Sequence, residues 1–206
     1  MYLNNKLVRS LKYNDVYGEL YSYENSSALT VIFPGINYGH EKPLLYYARK
    51  AAAQNNIDIL CINYKNKISW EDIGKQSIED VAIEIKGIIK NVIEKKYDNI
   101  YFLGKSVGTE IAGCTSSKLN IDNIKFLYLT PIEETLKYIV DRKCIVVSGT
   151  KDEFFKSECI NKIRENKNVK LMLFEGANHS LEIKDDIIRS LRILDNVAQL
   201  YLDFFK

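Results

Sequence analysis

The sequence predicts an α/β fold in which a mostly parallel central sheet is covered by helices on both faces. Predicted strands such as 29–33, 58–64 and 99–103 are almost continuously apolar, and several of the segments between them have helical periodicity. Strands that alternate with amphipathic helices in this way are typical of parallel sheets buried on both sides. Ligands of such sheets bind beyond the carboxyl ends of the strands, so functional residues are expected there.

Length and composition predict one domain spanning residues 1–206. Hydrophobic residues make up 46% of the chain and charged residues 27%, which is enough for one substantial core. The formal net charge is +2 and the lysines are scattered among glutamates, so we expect neither nucleic acid nor a membrane as a partner. Residues 1–10 lack the apolar core of a targeting signal and no run approaches a membrane span, which predicts a cytoplasmic location.

Four cysteines are present without a CxxC spacing, and we interpret all of them as reduced and structural. An abundance of Ile, Lys, Asn and Tyr indicates a bacterial genome rich in A·T pairs.

Residues 5–12 and 17–24 alternate loosely around Asn14-Asp15 and predict an N-terminal antiparallel hairpin. The remaining elements are predicted, in chain order, as strand 29–33, helix 43–53, strand 58–64, a long helix that opens with a capping box at 77–80, strand 99–103, a helix after Ser106, strand 125–130, a short helix at 132–140, strand 144–148, helix 155–165, strand 169–174 and helix 184–205.

For two of these helices, the spacing of apolar residues also predicts which face is buried. The long helix is expected to bury a stripe that includes Ile78 and Ile85 and to turn Glu84 toward solvent with the other charged residues. The last helix is expected to place its apolar residues on one side, namely Ile187, Ile188, Leu191, Leu194, Tyr201 and Phe204.

The segment Gly104-Lys-Ser106-Val-Gly108 lies between a buried strand and a buried helix and is interpreted as a nucleophile elbow. A serine in such a tight turn needs neighbours without a Cβ two residues away on each side. The turn lifts the hydroxyl above the sheet and aims the first amides of the helix at the group it attacks. A phosphate-binding loop is rejected, because the position that would need its first glycine holds Asn99.

A serine hydroxyl needs a base, and the chain has two histidines. His179 follows the last predicted strand and is the candidate base, whereas His40 is interpreted as a surface-loop residue. Asp152 follows strand 144–148 and is the candidate acid that orients the imidazole. Its neighbour Glu153 is expected in the first turn of the next helix.

With these motifs the chain resembles the α/β-hydrolase superfamily over nearly its whole length. The matching segments are Gly104 to Gly108, Gly149-Thr-Lys-Asp152, Gly176-Ala-Asn-His179, and Phe33-Pro-Gly35 in place of the usual His-Gly. The resemblance implies an oxyanion hole formed by the amides of Ile36 and Val107. It also implies no cap domain, because only a short segment separates Thr130 from Cys144.

The expected activity is hydrolysis of a carboxylic ester or thioester through an acyl-enzyme, with Ser106, His179 and Asp152 as the catalytic triad. The expected partner is a small acyl substrate, and neither a cofactor nor a metal is implied. Two alternatives stay open: a ligand-sensing or partner-binding module that keeps the pocket without turnover, and an acyltransferase or peptidase on the same scaffold.

Lys105 is a candidate source of positive charge near the site, and Tyr38, Tyr46, Tyr47, Tyr64 and Trp70 are candidate pocket-lining or packing aromatics.

Overall fold

The computed structural model describes residues 6–64, 67–94 and 97–206 and contains one eight-stranded sheet. The strands are β1 (Lys6–Tyr13), β2 (Val16–Tyr23), β3 (Ala28–Phe33), β4 (Asp58–Asn63), β5 (Asn99–Ser106), β6 (Ile124–Pro131), β7 (Cys144–Gly149) and β8 (Val169–Phe174). Their order across the sheet is β1-β2-β4-β3-β5-β6-β7-β8. The first two strands form the predicted antiparallel hairpin, and β2 joins it antiparallel to β4, while all other pairs are parallel. The predicted fold class is therefore confirmed, and residue 5 of the predicted hairpin lies outside the described residues.

Six α-helices complete the described part of the fold. They are α1 (Pro43–Gln54), α2 (Gln76–Val92), α3 (Val107–Ser117), α4 (Leu136–Ile139), α5 (Ser157–Arg164) and α6 (Ile187–Phe204). One core packs α2, α3 and α5 against one face of the sheet, and a second core packs α1 and α6 against the other. The continuous apolar strands are thus buried on both sides, which is why they lack an alternating pattern.

The start of α2 differs from the prediction. Ser77 lies inside the helix, whose N-terminal cap residue is Lys75. The capping box is formed instead by Ser69 and Asp72, in a separate 3₁₀ turn (Trp70–Asp72) that precedes α2. Glu84 is also not on the solvent face, since it is buried and accepts a hydrogen bond from Lys67 at 2.5 Å and one from the amide of Asp15 at 3.3 Å. A carboxylate with these partners can be buried, which periodicity alone does not reveal.

The first half of α6 also corrects the prediction. Ile187, Ile188 and Leu191 are exposed, whereas Ile193, Val197 and Leu200 are buried together with Tyr201 and Phe204. The helix begins at Ile187 rather than 184, with Asp186 as its N-terminal cap. The predicted stripe therefore faces the sheet only over the second half of the helix.

The link between β6 and β7 contains a short 3₁₀ turn and α4, so no cap domain is inserted there, as predicted. In the described ranges no helix combines the length and apolarity needed to cross a bilayer. The cytoplasmic location stays a prediction. All four cysteines are buried and unpaired.

Candidate active site

Ser106 ends β5 and precedes α3 with φ 55° and ψ −127°, a conformation that is rare for a residue with a side chain. The glycines on either side permit it. A Cβ on Gly108 would collide with the carbonyl oxygens of Phe33 and Pro34, and one on Gly104 would come within 2.7 Å of the Gly108 oxygen. The elbow is thus packed against its own helix and against the end of β3.

Thr109 holds the turn from within the helix. Its hydroxyl donates to the carbonyl oxygen of Ser106 at 2.6 Å and accepts from the hydroxyl of Thr135, also at 2.6 Å. Both threonines are fully buried. A hydrogen-bonded turn of this kind keeps the strained serine in one orientation.

A second close approach brings the loops after β7 and β8 together. A Cβ on Gly149 would overlap the carbonyl oxygen of Ala177, and that oxygen accepts from the amide of Lys151 at 2.9 Å. The hydroxyl of Thr150 accepts from the amide of Gly176 at 2.8 Å. These contacts fix the loop that carries Asp152 against the loop that carries His179.

The three side chains predicted from separate loops form one hydrogen-bonded row. Nδ1 of His179 donates to Asp152 at 2.8 Å from Oδ1 and 2.9 Å from Oδ2. Because a neutral imidazole has one N–H, Nε2 then accepts from the Ser106 hydroxyl at 2.8 Å. The amide of Phe154 also donates to Asp152 Oδ1 at 2.9 Å, which orients the carboxylate.

The imidazole is held in its neutral form. Burial lowers the pKa of His179, the hydrogen bond to Asp152 raises it, and the nearby charge of Lys105 lowers it, with a net decrease from 6.5. At neutral pH the ring can therefore accept a proton.

The loop after β3 lies against the nucleophile. A Cβ on Gly35 would be 3.2 Å from that of Ser106, and Gly35 and Tyr38 exchange backbone hydrogen bonds of 3.1 and 3.2 Å. Tyr64 supports this loop by donating its hydroxyl to the carbonyl of Pro34. The amide of Ile36 thus follows a glycine that touches the elbow, while Val107 is the first residue of α3, where amides have no partner within the helix.

The other sequence candidates occupy different places. His40 is half-buried rather than on the surface, and its Nε2 lies 2.7 Å from the carbonyl oxygen of Ile62. Tyr46 and Tyr47 are exposed on α1, where their rings contact each other. Sequence reasoning missed Phe154, whose ring lies 4.6 Å from the imidazole of His179. Its only signal in the sequence is its position two residues after Asp152.

Lys105 is the least expected feature of the site. It is 2% exposed, and its ammonium lies 4.9 Å from the centre of the Tyr38 ring. Burial lowers its pKa from 10.5 to about 7, against the opposing effect of Asp152. A buried cation is expensive, so this lysine is kept at a cost in stability.

We expect Lys105→Met to stabilise the protein most below pH 7. Between the folded pKa of about 7 and the unfolded value of 10.5, the unfolded chain binds a proton that the folded chain does not, so wild-type stability rises with pH. Methionine removes the charge at similar length. The variant should exceed wild type in free energy of unfolding by on the order of 4 kcal/mol at low pH, and this difference should shrink as the pH rises. Urea unfolding at pH 6.5 and 9.5 measures it, with exposed Lys90→Met as the control. An advantage independent of pH would contradict this account.

Comparison with known proteins identifies the family and the fold. A family model described as "Alpha/beta hydrolase domain" matches residues 30–206. The chain belongs to the alpha/beta hydrolase family. No curated protein sequence matches this alpha/beta hydrolase significantly.

Solved structures share its fold at low sequence identity. An alpha-beta serine hydrolase homologue from Coxiella burnetii is 15% identical, with 97% of this chain and 96% of that chain covered and a TM-score of 0.67. A serine hydrolase without a lid from Xanthomonas campestris is 10% identical, with 98% and 94% covered and a TM-score of 0.70. An esterase from Pyrococcus furiosus is 14% identical, with 97% and 90% covered and a TM-score of 0.69. At these identities the likeness shows the fold.

Proposed function

We propose that this alpha/beta hydrolase is a serine hydrolase that cleaves a carboxylic ester or thioester through an acyl-enzyme. The observation that carries the proposal is the row of hydrogen bonds from Ser106 through His179 to Asp152. The Ser106 hydroxyl lies 2.8 Å from Nε2 of His179, and Asp152 Oδ1 lies 2.8 Å from Nδ1. Nucleophile, base and orienting acid come from three loops at the carboxyl ends of parallel strands, where such folds bind ligands.

In the first half-reaction the Ser106 oxygen attacks the acyl carbon while His179 Nε2 takes the hydroxyl proton. The amides of Ile36 and Val107 stabilise the oxyanion, and Asp152 balances the imidazolium. Collapse breaks the bond to the leaving oxygen or sulfur, which receives the proton from Nε2. Water then attacks the acyl-enzyme by the same route and releases the carboxylic acid and free Ser106.

Partitioning of the acetyl group between water and methanol tests whether an acyl-enzyme forms. Phenyl acetate and p-nitrophenyl acetate form the same acetyl-enzyme, so the ratio of methyl acetate to acetate produced should be the same for both substrates. A ratio that differs between the two esters would show that no common intermediate forms. Absence of turnover with a p-nitrophenyl ester series of increasing acyl length would favour the binding-module alternative.

The short link between β6 and β7 predicts hydrolysis of short, dissolved esters without activation by a lipid interface. Only α4 and a 3₁₀ turn lie between β6 and β7, so there is no inserted lid at that position for an interface to open. Rates measured with an ester across its critical micelle concentration should saturate smoothly. A sharp rise above that concentration would contradict the prediction.

A further inference from the structure

Two aromatic side chains from distant loops form a stacked pair beside His179. The rings of Trp70 and Phe154 lie 4.9 Å apart at an interplanar angle of 15°, and the Phe154 ring lies 4.6 Å from the imidazole of His179. Trp70 remains 43% exposed and Phe154 39% exposed. The pair thus presents apolar ring surface to solvent next to the candidate base.

Folding alone does not account for this exposure. The next residue, Phe155, is fully buried in the core. Of these two adjacent phenylalanines, one therefore packs inside the protein and the other, Phe154, stays partly exposed. Exposed contiguous aromatic surface costs solvation free energy, and beside a candidate base it is available to a substrate. Trp70 is also the sole tryptophan of the sequence.

Around both aromatic residues the chain makes hydrogen bonds that do not involve the stacked rings. Asp72 accepts from the amide of Ser69 at 2.8 Å, from its hydroxyl at 2.6 Å, and from the hydroxyl of Ser77 at 2.8 Å. The bonds from Ser69 and Ser77 lower the pKa of Asp72 to about 2, so the carboxylate stays ionised at neutral pH. The backbone of Phe154 is fixed by the bond from its amide to Asp152, and its ring contacts the rings of Trp70 and His179. The aromatic surface is therefore preformed, which limits the entropy lost when a ligand binds.

The mechanism decides which half of the substrate meets these rings. His179 Nε2 must donate its proton to the leaving oxygen or sulfur, which therefore lies within hydrogen-bonding distance of the imidazole. A substituent on that atom starts next to the ring that Phe154 touches, and the stack with Trp70 extends this surface outward. The carbonyl oxygen is directed instead to the amides of Ile36 and Val107 in the proposed oxyanion hole.

We propose that Phe154 and Trp70 form the binding surface for the leaving-group half of the substrate and favour a planar aromatic alcohol or thiol there. This inference rests on the proposed hydrolase function. Flat rings stack on aromatic faces more favourably than saturated rings of the same size, because the ring quadrupoles add to the burial of area. The expected preference is about three- to tenfold in kcat/KM.

The test compares benzyl acetate with cyclohexylmethyl acetate, which share the acyl group and differ in the planarity of the alcohol. The readout is the ratio of the two kcat/KM values divided by the ratio of the two rate constants for hydrolysis by hydroxide, so that a general loss of activity and the better leaving group of the benzyl ester both cancel. Wild type should favour the benzyl ester, and Trp70→Leu and Phe154→Leu should each bring the ratio close to one. Tyr47→Leu is the matched control, since Tyr47 is 44% exposed and its ring contacts Tyr46 on α1; it should keep the wild-type ratio.

A wild-type ratio near one, or a preference that survives both substitutions in folded protein, overturns the inference while leaving the hydrolase function intact. The same holds if the substitutions instead abolish a preference for methyl phenylacetate over methyl cyclohexylacetate, because the surface would then bind the acyl half. Failure of folded wild type to hydrolyse any of the four esters and p-nitrophenyl acetate would instead contradict the proposed function itself, and the inference with it.

Discussion

Ser106→Ala is expected to abolish ester hydrolysis, with a loss on the order of 10⁶ in kcat for a working triad. Alanine leaves no oxygen for attack, and water in the same place would lack the covalent route. The Ser106 hydroxyl is 2.8 Å from Nε2 of His179 and the residue is 3% exposed, so the substitution removes one buried atom and adds none. The measurement is kcat with p-nitrophenyl acetate, read against the spontaneous rate.

Ser117→Ala is the matched control, because Ser117 ends the same helix and its hydroxyl donates only to the carbonyl of Cys114, at 2.8 Å. It should retain wild-type turnover. Thermal melts of both variants check the fold. Turnover within tenfold of wild type in folded Ser106→Ala would mean that another residue is the nucleophile.

Asp152→Asn is expected to lower kcat by roughly 10⁴ near neutral pH while the fold is kept. An asparagine NH₂ would favour the imidazole tautomer that carries its proton on Nε2, and it cannot balance the imidazolium. Asp152 is suited to the role because both carboxylate oxygens lie within 2.9 Å of Nδ1 and its side chain is fully buried.

Glu153→Gln should leave kcat close to wild type. Glu153 is exposed in the loop before α5. Contrary to the sequence expectation, it does not lie in the first turn of α5, which begins at Ser157 and has Glu158 as its acidic residue. The two variants are assayed side by side with thermal melts. If Glu153→Gln is inactive and Asp152→Asn is active, the orienting acid is Glu153. If both variants are active, neither carboxylate is needed for catalysis.

The sequence was most informative where one short segment determines its own geometry. The elbow could be predicted because the packing within and around one turn requires glycine at positions 104 and 108. A Cβ at either position would clash with neighbouring backbone atoms. The elements were predictable for a related reason, since a strand buried on both faces must be apolar throughout. That Ser106, Asp152 and His179 meet followed from topology, because carboxyl ends of parallel strands share one edge.

Features that depend on contacts between distant segments were missed. Glu84 was placed in solvent because helical periodicity does not contain its partner Lys67, seventeen positions earlier. The exposed start of α6 has apolar residues whose spacing resembles that of a buried face. The stack of Trp70 on Phe154 joins loops after β4 and β7, and no local pattern records such a pairing. The burial of Lys105 likewise depends on Tyr38 packing over it from another loop.

Site-resolved labelling with a fluorophosphonate tests the central claim most directly, because this probe reacts fastest with a serine activated by a working base and oxyanion hole. The purified protein is incubated with the probe at pH 7.5, its intact mass is measured, and the modified peptide is sequenced by mass spectrometry. We expect one adduct per chain on Ser106, formed much more slowly in Asp152→Asn and absent from Ser106→Ala. An adduct on another residue, or none on folded wild type, would contradict it.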